Sequence, residues 1–382
     1  MTMSTATGFQ GRPRERGVPT PTRERDQLDR LLADLRDAAG ADTGIGYHAS
    51  VAVNVWHRPP RIQVAGRAHT GRTTVLHALA LMSAAETGPV DEPGSPDPEL
   101  DADIVVYVLS GSPSPADRRV LATLEPSRTV VVLNKADAIG SRWGDAVVAA
   151  DQYSRELGVL TLPVVASLAA RTRAGAITEE DMATLRRLAA SADPSLTLSP
   201  DLFVSPAAGP DVAERETLLH RWDLYGVACA LTALRADPSL GPHAILQLMH
   251  AAAGIDPLHR LLHRRYEQVS AQRGGRLLDE LARLAARALP ADGGARDVLE
   301  NYLYGDDAMW LGLCAGLADP SVAHLAAGYP SPAPADADDA LQRAVRWRAV
   351  VGSDMPPRAR RAALRVHNGY IRLWERMSSA GL

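Results

Sequence analysis

Near the start of the chain, RERDQLDRLLADLRDAAG (23–40) sets Leu28, Leu31, Leu32 and Leu35 at helical spacing on one face and stops at Gly40. That pattern predicts an amphipathic helix of about four turns. From residue 61 the texture changes to short apolar runs closed by turn residues: RIQVAG (61–66), DIVVYVLS (103–110), TVVVLN (129–134) and LPVVAS (162–167). Each reads as a strand buried on both faces, and helical periods fall between them over 73–86, 115–124, 142–157 and 178–191. Alternation of this kind predicts a parallel sheet flanked by helices. Further on, the chain is helical in period over 211–235, 255–289 and 356–378, with no internal repeat. A segment with four prolines, 191–210, reads as a linker, and 326–338 as a spacer. The expected division is a disordered tail (1–22), an N-terminal helical segment (23–58), an α/β domain (59–192), a Pro-rich linker (193–210) and an all-α domain (211–382).

A length of 382 residues suits two domains, and a net charge of -4 excludes a global basic field, so nucleic acid is not an expected partner. The run RARRAALR (358–365) is a local exception that could touch phosphate or acidic lipid, its default reading being a solvated helix face. Cys229 and Cys314 have no C-x-x-C spacing and fit a reducing compartment as buried small residues. The N-terminus lacks the apolar run of a signal peptide, and LYGVACALTAL (224–234) is far short of the ~20 residues that span a bilayer. A cytoplasmic protein is expected, with peripheral membrane contact as its outer limit. His259 and His263 lie one helical turn apart, but without a neighbouring carboxylate at metalloprotease spacing they read as packing or solvated residues.

Of the 41 lysines and arginines a single one is lysine, Lys135, in TVVVLNKADAIG (129–140). The Ala-, Leu-, Arg- and Pro-rich composition has the colour of a GC-biased genome, so a retained lysine points to a chemical demand. Upstream, GRAHTGRTT opens at Gly66 directly after the first strand and runs into a helix. It matches G-x-x-x-x-G-K-[ST] at every defining position but one, where Arg72 replaces lysine. In such a loop backbone N–H groups form a nest for a β-phosphate, the helix adds its dipole and a hydroxyl holds Mg²⁺. Gly66, Gly71 and Thr73 are the defining candidates, with His69, Thr70 and Thr74 beside them. Arg72 can still pair with phosphate, although it is bulkier and planar. The plain alternative is a glycine-bounded strand-to-helix turn.

Asn134, Lys135 and Asp137 form N-K-x-D after a buried strand, which resembles the guanine-specificity motif of P-loop GTPases. The resemblance implies that Asp137 accepts from N1–H and the exocyclic amine of guanine, that Asn134 braces the phosphate loop, and that the Lys135 stem lies along the base. About thirty residues later LPVVASLAAR puts Ser167 and Leu168 where such proteins contact guanine O6 through backbone N–H, without the usual S-A-K wording. DEPG (91–94) has the D-x-P-G form of switch II, in which Asp91 holds Mg²⁺ through water; a Pro-Gly turn explains it equally. Together with 162–189 and 220–235, these features resemble the translation-factor-related GTPases, and more narrowly the dynamin-like branch as found in bacterial, actinobacterial proteins. The resemblance covers about 60–290. It implies GTP or GDP, with Mg²⁺, as cofactor and a second G-protein or assembly component as partner.

Only seventeen residues separate Thr73 from Asp91. A helix consumes about a dozen, which leaves no room for switch I and its Mg²⁺-binding threonine or for both strands that normally follow. The expected fold is therefore a P-loop GTPase-like α/β domain lacking switch I and an edge strand, followed by an all-α domain. Base recognition is intact and the phosphate end is altered, which predicts a pseudo-GTPase that binds guanine nucleotide and hydrolyses it poorly or not at all. Two alternatives stay open: an active GTPase coupling hydrolysis to self-assembly or membrane contact, and a helical scaffold carrying a relic G domain.

Overall fold

The computed structural model describes residues 21–39, 44–191, 194–289 and 294–379. In chain order the elements are α1 (Pro21–Ala39), α2 (Gly44–His57), β1 (Ile62–Gly66), α3 (Arg72–Leu79), β2 (Ala84–Glu86), β3 (Ile104–Leu109), α4 (Pro115–Thr123), β4 (Thr129–Asn134), α5 (Trp143–Leu157) and β5 (Thr161–Val164). There follow α6 (Ala166–Ala174), α7 (Glu179–Ala190), α8 (Pro200–Phe203), α9 (Val212–Ala236), α10 (Pro242–Ala252), α11 (Ile255–Arg287), α12 (Ala295–Tyr304), α13 (Asp306–Leu317), α14 (Ala337–Val351) and α15 (Pro357–Ser379). The tail expected over 1–22 lies outside the described residues except for its last two positions, which open α1.

The five strands form one sheet in the order β2-β1-β3-β4-β5, and every pairing is parallel. Alternate residues serve opposite faces. Ile62, Val64, Ile104, Val106, Val108, Val130 and Val132 enter one core with Leu79 of α3 and Leu168 of α6. Ala65, Val105, Tyr107, Leu109, Val131 and Leu133 enter the other with Leu121 of α4 and Ala150 of α5. Both faces are covered, which is why β3 and β4 read as unbroken apolar runs.

Three expectations change. The helix expected over 73–86 ends at Leu79, because Ala80 turns left-handed at φ 46°. Its last residues instead pair with β1 as an edge strand, Ala84 opposite Ile62, too short to show a period of its own. The strand expected over 162–167 stops at Val164, since the N–H groups of Val165 and Ala166 leave the ladder for Ala253 O (2.9 Å) and Asn134 Oδ1 (3.2 Å). A helix not expected from the pattern, α6, begins there.

The domain division also differs. One compact unit spans Pro60–Val269; the other joins Ser270–Leu382 to Met1–Pro59. The proline-rich stretch is thus no boundary. Phe203 within it is fully buried, and buried Arg215 of α9 donates to Ser205 O (2.9 Å) and Gly209 O (3.0 Å), holding the segment to the unit. Leu218, Trp222, Val227 and Leu231 of α9 and Met249 of α10 join the core of the sheet. In the helical unit, Leu28, Leu31 and Leu35 of α1 pack with Leu277, Leu281 and Leu299, so the N-terminal helices are part of that unit's core. A second core there gathers Leu313, Trp347, Val366 and Tyr370 from α13, α14 and α15. Among the described residues no helix is long and apolar enough to cross a membrane.

Candidate functional site

In the strand order the chain leaves β1 for the edge strand β2 and returns to β3 on the other side of β1. Ligands of open parallel sheets lie beyond the carboxyl ends of the strands at such a reversal. The loop 67–71 leaves β1 at that point. Gly66 (φ +147°) passes so close to β3 that a Cβ would lie 2.5 Å from Val108 O, and Gly71 (φ +88°) so close to β4 that a Cβ would lie 2.4 Å from Asn134 Nδ2. His69 also takes a left-handed conformation, at φ 63°. Within the loop, buried Thr70 donates its hydroxyl to Arg67 O at 2.9 Å. Val75 N–H bonded to Gly71 O (2.9 Å) then starts α3.

Two residues from the end of β4 hold this loop. Asn134, buried, donates Nδ2–H to Thr70 O (3.0 Å) and accepts at Oδ1 from Ala166 N–H (3.2 Å). One side chain therefore links the loop to the start of α6. Lys135 takes a left-handed backbone conformation (φ 56°), and its Nζ donates to His69 O at 2.9 Å. The N-K pair and the glycine loop, 64 residues apart at Thr70 and Asn134, meet directly.

Arg72 turns to the edge-strand side of the sheet. Its guanidinium donates to Thr87 O (2.7 Å) and pairs with Glu86 (3.5 Å), tying the start of α3 to the edge strand, and the side chain is only 12% exposed. Thr73 is exposed and Thr74 half-buried on the first turn of α3. Residues 80–83 are all that separate α3 from β2. The following stretch runs back along the loop, with Val90 N–H bonded to Gly66 O at 3.0 Å. It brings Asp91 to the loop's edge, where the carboxylate faces Arg119 at 3.5 Å and the backbone N–H donates to Asp97 at 2.7 Å. Among the described residues no three His, Cys, Asp or Glu side chains gather to hold a metal.

Asp137 sits on the exposed turn after Lys135. Partial desolvation by its neighbours raises its pKa above the usual carboxylate range, and the Asp223 carboxylate adds to the rise while Lys135 opposes it. Asp223 belongs to α9, where φ 54° breaks the helix; Arg171 of α6 pairs with it at 2.8 Å. The side of the site bearing Asp137 thus includes a helix that the sequence pattern had assigned to another domain. Ser167 is half-buried, and Leu168 is fully buried against α9, with Gly226 admitting the approach. What these two residues offer a ligand is the N–H groups of the first turn of α6.

Sequence reasoning missed a polar anchor under the loop. Arg67 donates through Nε to both oxygens of Asp117 (3.0 and 3.2 Å), and that fully buried carboxylate also accepts from Tyr107 (2.8 Å) and from Ser114 N–H (2.8 Å). Burial, then Asp117, pushes the Tyr107 phenol well above its ordinary pKa. The signal was present: SPAD (114–117) is a helix capping box, and its acidic member caps α4 while binding Arg67. His259 and His263 play separate parts. His259 makes a 3.3 Å hydrogen bond to Leu79 O at the end of α3, and exposed His263 pairs with Glu267 at 3.1 Å. No protein-family model matches the chain, and no curated protein matches it.

Proposed function

We propose that the chain is a guanine-nucleotide-binding protein of the dynamin-like GTPase superfamily with weak or absent hydrolysis, a pseudo-GTPase that acts through a partner G-protein or an assembly component. The observation that carries this reading is the bracing of the glycine loop by Asn134 and Lys135. A loop held at Thr70 O and His69 O is ordered before a ligand arrives, so less conformational entropy is lost on binding. Its glycines approach β3 and β4 more closely than a Cβ allows, and that path supports reading the amino end of α3 as a nest for phosphate. In this reading Asp137 would accept from guanine N1–H and the exocyclic amine, and the first-turn N–H groups of Ser167 and Leu168 would donate to the guanine oxygen.

At the phosphate end the groups are committed elsewhere. Arg72 is engaged by Thr87 and Glu86, and residues 80–83 are too few for a loop that closes over a γ-phosphate. Thr73 and Asp91 are the groups that would hold Mg²⁺, Asp91 exchanging Arg119 for the ion; the metal would supply neutralisation of phosphate charge.

The test is titration of the full chain with fluorescent GDP, GTP and ATP analogues, with and without Mg²⁺, alongside phosphate release. Guanine-selective binding with negligible release is expected, and Asp137→Asn should abolish the preference for guanine. Because the Asp137 pKa is raised, guanine preference should weaken on acidification at a higher pH than an ordinary aspartate would give, as the protonated carboxyl loses its paired acceptors. Equal affinity for adenine would refute the role of Asp137. Release at rates typical of GTPases would refute the pseudo-GTPase reading, and absence of all binding would leave the helical scaffold.

A further inference from the structure

The basic run of α15 resolves into one face of a helix. Arg358, Arg361 and Arg365 recur at spacings of three and four, and all three line a cleft of about 200 Å³ in the helical unit. Arg276 of α11 lines it too. Close approach is built in at Gly275, where a Cβ would lie 2.8 Å from Ala315 Cβ and 3.3 Å from Arg365 Nη1.

Two carboxylates share the cleft and pair with two of the arginines. Asp279 meets Arg365, and Asp319 meets Arg358 at 3.4 Å. Arg276 and Arg361 have no carboxylate partner among the described residues. α15 begins at Pro357, so the positive end of its dipole lies at the Arg358 edge of the same cleft. Four arginines against two carboxylates leave the lining of the cleft with a net positive charge. Guanidinium forks match the oxygens of phosphate two at a time. The volume is below the ~300 Å³ of sites for drug-sized ligands and suits a small, highly charged group.

We infer that this cleft binds a phosphate-bearing anion, a diphosphate or phosphate-monoester group, held by Arg276 and Arg361 with Arg358 and Arg365 beside them. The site is independent of the glycine loop, which belongs to the other compact unit. The group arrives either as a free anion or on a lipid.

The test compares the full chain with its Arg276→Ala/Arg361→Ala and Arg276→Lys/Arg361→Lys variants, both of which leave the glycine loop intact. Pyrophosphate is titrated by calorimetry in one arm. In the other, cosedimentation is measured with phosphatidylcholine vesicles with and without phosphatidic acid. Binding should weaken about tenfold for each arginine truncated, with partial retention in the lysine variant. Loss in solution identifies a free anion; loss only on phosphatidic acid vesicles identifies a lipid headgroup. A measurement on the unaltered chain supplements the variants: pyrophosphate or the acidic vesicles should protect Arg276 and Arg361 from phenylglyoxal, as mapped by mass spectrometry. Equal binding by the wild-type chain and the alanine variant, absence of binding in both arms, or modification of both arginines undiminished by either probe would overturn the inference.

Discussion

Gly71 and Asn134 make a prediction about coupling between the two halves of the candidate site. Substituting Gly71→Ala places a methyl group 2.4 Å from Asn134 Nδ2 at a backbone φ of +88°. The left-handed conformation costs an alanine about 1 kcal/mol. The clash displaces the amide from Thr70 O, now 3.0 Å away, and loss of that buried hydrogen bond costs about 1–3 kcal/mol more. Asn134→Ala leaves both Thr70 O and Ala166 N–H without their partner, at about 1–3 kcal/mol each. In a chain that already carries Asn134→Ala, however, Gly71→Ala meets empty space and costs only its backbone strain. The double variant should therefore be more stable than the sum of the two single losses by about 1–3 kcal/mol. Chemical denaturation of the four chains in parallel measures the cycle. Additivity within about 0.5 kcal/mol would show that Asn134 is not what confines Gly71, and the bracing argument would fall with it.

Two further outcomes follow from buried polar groups. Arg215→Met removes the donor to Ser205 O and Gly209 O from a side chain that is 1% exposed, which should destabilise the sheet-bearing unit by about 2–4 kcal/mol; limited proteolysis should then cut within 198–210 sooner than in the wild type. His259 has its pKa lowered by burial, with Arg173 adding to the effect and the bond to Leu79 O opposing it. A histidine depressed in the folded state contributes stability above its unfolded pKa of about 6.5 and loses it as the pH falls through the folded value. The denaturation midpoint should thus drop on acidification below about pH 6.5, less steeply in His259→Gln; identical slopes would refute the assignment.

Much of the candidate site was legible because it is written in local chemistry. The glycine loop needs residues without Cβ where the chain passes β3 and β4, and those glycines stand at recognisable spacing after an apolar run. N-K-x-D follows its strand directly, and Asn134 and Lys135 do reach the loop. The contacts of Arg72 were not legible, since its partners Glu86 and Thr87 lie at the end of, and just after, an edge strand that reads locally as the end of a helix. Only pairing with β1, where three residues find backbone partners, converts that helical period into a strand.

By itself, the amino-acid sequence determined the parallel sheet: runs buried on both faces, separated by helical periods, leave few other ways to cover apolar surface. It also determined the chemistry at the carboxyl ends of β1 and β4. Tertiary structure alone decided how the helices divide. A proline-rich stretch looks like a boundary until Arg215 ties it to the unit and Phe203 is buried within it, because proline content reports backbone stiffness and says nothing of what a neighbouring face needs covered. Likewise the α1 stripe shows that a partner is required, and only packing shows that the partner is the far half of α11 together with α12. Periodicity specifies which face of an element must be buried; the surface that buries it is a property of the assembled chain.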